Sequence, residues 1–205
     1  MPLIALAVAL AFLTSCGLTV APGPVRKEEP PPKPIPLTGR SAFFKIYPSA
    51  RQWAADAKGI QLSSMQVTEA PADPGKAAVW QATFDSEQRA KMKSFTWSAV
   101  DIEPNLHQGV FSGQEEAFTG RVGQAMPFFT QALQTDSDAA YKTALSHDDP
   151  FLKTNPKVSI NFLVEQTPRT NSVLAWRVIW GETAGSAKYA AFVDATDGKF
   201  IAKVR

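Results

Sequence analysis

The chain has 205 residues, with 21 Lys and Arg against 19 Asp and Glu, a net charge of +2. That excess comes from the stretch before residue 41. Beyond it acids and bases number seventeen each, which argues against the basic face that nucleic acid requires. The single cysteine, Cys16, excludes a disulfide within the chain.

In chain order, Leu3 to Leu13 is apolar and uncharged. Its length suits the core of a secretory signal and falls short of the ~18–20 residues of a spanning helix. It ends in Leu13-Thr14-Ser15-Cys16, which resembles the lipobox of bacterial lipoproteins: an aliphatic residue, two small residues and a cysteine. The resemblance implies cleavage before Cys16, acylation of its thiol, and a partner in the membrane itself. Each buried CH2 of an acyl chain contributes ~0.8 kcal/mol to anchoring. By the sorting rules of such lipoproteins, Gly17 rather than Asp favours the outer membrane of a diderm cell. The expected location is therefore the cell envelope, at the periplasmic face of that membrane or at the cell surface.

Residues 17–40 carry prolines at 22, 24, 30, 31, 32, 34 and 36. Such composition extends at ~3.1 Å per residue and builds no core. The expected organisation is a signal at 1–15, a lipidated cysteine and tether at 16–40, and two α+β halves at 41–118 and 119–205.

In the first half, Ala50, Trp53, Ala54 and Ala57 share a helical stripe, with Pro48 at its start and Gly59 at its end. Residues 79–85 and 94–101 alternate as half-buried strands: Trp80, Ala82 and Phe84 on one face, then Phe95, Trp97 and Ala99. The glycine-rich stretch 104–127 fits neither element type and reads as a solvated crossover. In the second half a helix is expected after Ser137, with Tyr141 in the place of Trp53. Strands are expected at 158–165, 173–181 and 189–204. Trp80 falls opposite Trp176 in this comparison, so the pattern of helix then strands runs twice. Asp197-Gly198 marks a turn in the last strand pair.

The helix opening in Asp138-Ala139-Ala140 and the closing hairpin Phe192-Val193-Asp194-Ala195-Thr196-Asp197-Gly198-Lys199-Phe200-Ile201 together resemble the PepSY family. The resemblance covers 128–205, and 41–118 more faintly. It implies small extracytoplasmic modules, each a helix on a short antiparallel sheet, acting as binding or inhibitory units.

Chemistry-bearing groups are sparse. His107 lies in the crossover and His147 at a helix end, where a cation meets the helix dipole. No nucleophile-elbow or Ser-x-x-Lys sequence is present. Asp194 and Asp197 resemble part of a calcium loop but lack its remaining oxygen donors. Glu115 and Glu116, adjacent in sequence, point apart. No catalytic residue, metal site or cofactor is expected.

The polar phase of the strands is the candidate surface. Gln81, Thr83, Ser94, Thr96 and Ser98 line one sheet face, and Ser159, Asn161 and Arg177 the corresponding second face. Thr96, Ser98, Asn161 and Arg177 are the residues expected to hold a protein or peptide partner. The leading expectation is a membrane-anchored, non-enzymatic binding or inhibitory module of the envelope. The alternative is an assembly or trafficking factor for lipid or lipoprotein cargo, which needs an apolar cavity between helix and sheet.

Overall fold

The computed structural model describes residues 34–147 and 150–204. Cys16, the apolar leader and most of the tether lie outside them, as do Asp148 and Asp149.

The fold is α+β. In order come β1 (Leu37–Thr38), α1 (Gly39–Trp53), β2 (Lys58–Met65), β3 (Lys76–Ala77), β4 (Val79–Ser86), β5 (Lys91–Ser98) and β6 (Gly109–Ala117). Then follow α2 (Ser137–Ser146), α3 (Pro150–Thr154), β7 (Ile160–Gln166), β8 (Leu174–Trp180), β9 (Tyr189–Asp194) and β10 (Phe200–Val204). Eight strands form one antiparallel sheet in the order β10-β9-β8-β7-β2-β4-β5-β6, and β1 pairs separately with β3. The two runs of strands therefore join edge to edge where Leu62 of β2 faces Val164 of β7.

Both long helices lie on the same face, α1 over β4 and β5, α2 over β8 and β9. Period-two alternation puts Trp80, Phe84, Phe95, Phe162, Trp176 and Val178 under them, all 3% exposed or less. Trp80 and Trp176 meet edge to face at 6.2 Å. Each indole N–H donates at 2.9 Å to the carbonyl two residues before a helix, Trp80 to Leu37 and Trp176 to Thr135.

The helix starts share one cap. The Asp136 carboxylate accepts from Ser137 N at 2.7 Å, from Arg40 N at 2.8 Å and from the Thr38 hydroxyl at 2.7 Å. Ser137 Oγ also accepts from Gly39 N and donates to the Gly75 carbonyl. One acid thus satisfies unpaired N–H groups of both helices. Gly39 is required there, because a Cβ would come within 3.0 Å of the rings of Trp80 and Trp176.

Four expectations need correction. The first helix does not start at Pro48 but nine residues earlier, at Gly39, and ends at Trp53. Its buried stripe is Gly39, Ala42, Phe43, Ile46 and Ala50. Pro48 sits inside it on the exposed side, where the Phe44 carbonyl that it leaves unbonded can meet water. The tether gives way to structure before residue 40, since Leu37 and Thr38 already pair with Ala77 and Lys76. The segment 58–65 is a central strand with a bulge after Gly59. And 104–127 is no plain crossover, because it contains the edge strand β6.

The closing hairpin forms with a longer loop than a two-residue turn. Gly198 takes a φ of +75°, and its N–H donates to Asp194 O at 3.0 Å. The Asp194 carboxylate accepts from the N–H groups of Thr196 and Asp197.

Candidate functional site

None of the described helices packs on the opposite face of the sheet. Register places one row of side chains straight across all eight strands: Phe111, Thr96, Gln81, Ser63, Leu163, Arg177, Phe192 and Ala202. Thr96 and Arg177, 81 residues apart in sequence, stand four strand spacings apart in this row, or ~19 Å. A second row carries Ser94, Thr83, Gln61, Glu165 and Ala175. The half of the face from β2 to β5 is therefore built of hydroxyls and amides, and the half from β7 to β9 of apolar groups around one Arg–Glu pair.

Burial divides the four expected partner residues. Thr96, Ser98 and Asn161 are 6%, 1% and 8% exposed. Ser98 Oγ donates to Val100 O at 2.7 Å and closes its own strand end. Asn161 Nδ2 donates to the carbonyls of Gly181 and Glu182, at 2.7 and 3.2 Å. Arg177 Nη2 donates to Ala184 O at 2.7 Å, so Asn161 and Arg177 both hold the loop between β8 and β9. The Arg177 guanidinium lies 5.7 Å over the Phe192 ring, and its Nε has no partner among the described residues. Burial lowers the Arg177 pKa and raises that of Glu165, each opposed by the charge of the other. Half-open positions on the face are Gln61, Ser63, Gln81, Ser94, Leu163 and Arg177.

Ser63, Gln61 and Leu163 were not among the expected residues. Their signal was present, in the polar residues flanking Leu62. It was obscured because the preceding Ala-Lys-Gly run reads as the end of a helix.

Asp85 ends the polar phase of β4, opposite Lys58. It is fully buried, and neither carboxylate oxygen has a hydrogen-bond partner among the described residues. Lys58 Nζ bonds Glu87 at 2.7 Å, while Asp56 accepts from Ser86 Oγ and Gln88 N. Burial pushes the Asp85 carboxyl up to about 6, despite the attraction of Lys58.

On the helix side, α1 stops short of β6 and leaves a groove of about 410 Å3 lined by Trp53, Phe95, Val110, Lys93 and Ser112. Glu115 holds the Trp53 side of it, accepting from Trp53 Nε1 at 2.7 Å and from Arg89 Nη2 at 3.0 Å. Those bonds, the Trp53 one foremost, hold the Glu115 carboxyl below its usual range. Glu116 belongs to the other face, in register with Met92. A second hollow, about 400 Å3, lies between Phe151, Val158, Trp180 and Lys188.

His147 stacks on Phe200 with ring centres 3.7 Å apart, and His107 meets Phe111 edge-on at 6.1 Å. Among the described residues no group of three or more His, Cys, Asp or Glu is gathered to hold a metal. Among them, too, no helix is long and apolar enough to cross a membrane.

No family model matches the chain. The curated proteins likewise provide no match. Among solved structures, the crystal structure of a candidate lipoprotein from Clostridium difficile 630 is similar with a TM-score of 0.44 and 10% identity. The likeness covers 80% of this chain and 91% of that one.

Proposed function

We propose that this protein is a lipid-anchored lipoprotein of the cell envelope that binds a protein or peptide on the helix-free face of its sheet, without catalysing a reaction. The observation that carries the binding half is the transverse row from Thr96 to Arg177, five strands of one continuous sheet with no described helix over them. Gln81, Ser63, Leu163 and Arg177 are the members a partner reaches. Thr96, Ser98 and Asn161 act beneath or beside them by fixing side chains and loops. The anchoring half rests on Leu13-Thr14-Ser15-Cys16 and the proline-rich residues after it.

The cargo alternative needs an apolar void between helix and sheet. Beneath α1 that space holds Phe43, Trp80, Phe84, Phe162 and Trp176, each 1% exposed or less, and the hollow at Phe151, Val158 and Trp180 is rimmed by Glu182, Ser186 and Lys188, which favours the protein-binding reading. The chain also reads as two PepSY-like halves. Supporting this are the paired helix-then-strands order, the matched Trp80 and Trp176 hydrogen bonds, and the Asp194–Phe200 hairpin.

Two experiments test the proposal. Cys16→Ser should abolish incorporation of labelled fatty acid and move the protein from the membrane to the soluble fraction. Retained labelling refutes the anchor. Photo-crosslinking residues at Gln81 and Leu163 should give a discrete adduct in intact cells, while one at Lys45 on the outer side of α1 should not. Equal adducts at all three positions refute the face.

A further inference from the structure

The outer sides of the two long helices are charged differently. α2 carries one acid and one base, Asp138 and Lys142, and these pair at 3.4 Å. α1 carries Arg40, Lys45 and Arg51 and no acid; the first acid after Pro34 is Asp56, beyond the helix end. All three cations are exposed, and none has an ion pair among the described residues.

Aromatic rings stand among these cations. Arg40, Phe44, Tyr47 and Arg51 follow the helical repeat and form one stripe of α1. Phe44 is 41% exposed, with the Arg40 guanidinium 5.1 Å over its ring, and the Arg51 guanidinium lies 5.9 Å over Tyr47. Tyr47 and Arg51 share a hollow of about 260 Å3 with Phe129, which is 69% exposed and has the Lys58 ammonium 5.7 Å over it. The acids around this surface are already engaged. Asp56 accepts from Ser86 Oγ and Gln88 N, Glu87 holds Lys58, and Asp136 caps both helices. Unpaired cations beside exposed rings suit an anionic bilayer, where the rings enter the headgroup layer and the cations meet phosphates.

We propose that the outer face of α1, with Phe44 and Phe129, lies on the anionic phospholipid headgroups of the membrane that holds the anchor. This rests on the anchored reading given under Proposed function. The chain enters α1 directly from the proline-rich residues that follow Cys16. Such a tether makes a weak contact intramolecular, at an effective concentration of about millimolar. The sheet separates this surface from the helix-free face, so bilayer and partner can be met together.

The test uses the acylated chain purified from membranes and reconstituted on vesicles of phosphatidylcholine, alone or with about one third phosphatidylglycerol. Acylation consumes the Cys16 thiol, so Pro48→Cys on the outer side of α1, or Gln81→Cys on the opposite face of the sheet, takes a single nitroxide label. On anionic vesicles the label at 48 should lose access to a water-soluble nickel relaxant by about threefold or more, and regain it in high salt. It should lose none on phosphatidylcholine, and the label at 81 should lose none on either. Lys45→Glu with Arg51→Glu should abolish the shielding at an unchanged melting temperature. Lys157→Glu with Lys188→Glu, the same change of charge elsewhere, should not. Four results overturn the proposal: equal access on the two vesicle types, shielding at 81 instead of 48, shielding at 48 without anionic lipid (the mark of a protein contact), or shielding that survives Lys45→Glu with Arg51→Glu. Flotation with phosphatidylcholine vesicles reads the anchor separately. Without flotation the anchored reading falls and the docking with it; flotation with no shielding at 48 overturns the docking alone.

Discussion

Replacing Asp85 with asparagine should make the protein more stable. Asp85 is 0% exposed, and both its oxygens lack partners among the described residues. Lys58, which faces it across the ladder, is engaged by Glu87, and Asp56 and Glu87 add like charge nearby. The carboxyl moves from 3.8 unfolded to about 6 folded, so the folded state disfavours its ionised form. A difference of that size corresponds to about 3 kcal/mol of destabilisation at pH 7.5. The penalty is full above the folded value and vanishes as pH falls toward the unfolded one. Stability should therefore rise as the solution is acidified from pH 7.5 to 4.5. Glu165, also raised by burial, acts in the same direction. Asp56, Asp197 and Glu115, all lowered, act oppositely, but their contribution is lost only below their ordinary values. An asparagine amide is also buried and costs part of the gain, leaving ~2 kcal/mol and a melting temperature higher by ~4–8 °C at pH 7.5. Thermal melts of both proteins at pH 4.5, 6 and 7.5 measure this. The difference between them should shrink as pH falls. A neutral or destabilising Asp85→Asn at pH 7.5, or a difference independent of pH, would refute the account of Asp85 as an uncompensated buried charge.

Asp136→Ala should cost ~2–4 kcal/mol in urea unfolding, because it removes caps from two helices; a loss no greater than one cap's ~1 kcal/mol would show that α1 does not depend on it. Gly39→Ala should destabilise by ~1–3 kcal/mol through its collision with the two indole rings, and a neutral result in thermal melts would mean those rings can yield. Trp176→Phe should lose the bond to the Thr135 carbonyl and ~1–2 kcal/mol, measured by chemical denaturation, with Trp80→Phe costing a similar amount. Arg177→Ala should release the loop at 181–188, seen as faster hydrogen exchange there, and leave the fold cooperative; unchanged exchange would argue that the bond to Ala184 O does not hold the loop.

Much of the local structure is legible in the sequence. The alternation in 79–85 and 94–101 assigns each side chain to a face without reference to any neighbour, because a strand repeats every two residues. The tryptophans of those strands follow the buried phase, and Gly198 announces a positive φ. Pro48 misled because it is both a common first residue of a helix and a tolerated interior one on an exposed face. Nothing local separates the two cases; the burial of Ala42, Phe43 and Ile46 does.

What the sequence by itself determined was the face of most strands, the place of the last hairpin's turn at Gly198 and the Leu13-Thr14-Ser15-Cys16 pattern that resembles a lipobox. Tertiary structure decided which strands are neighbours. Alternation tells which way a side chain points but not what stands beside it, and β2 meets β7 across about a hundred residues. That one pairing merges the two runs of strands into a single sheet and sets Thr96 and Arg177 in one row. Burial, too, belongs to the tertiary level: it commits Asn161 to a loop and leaves the Asp85 carboxyl without a hydrogen-bond partner among the described residues, because both depend on groups brought near only when the sheet closes.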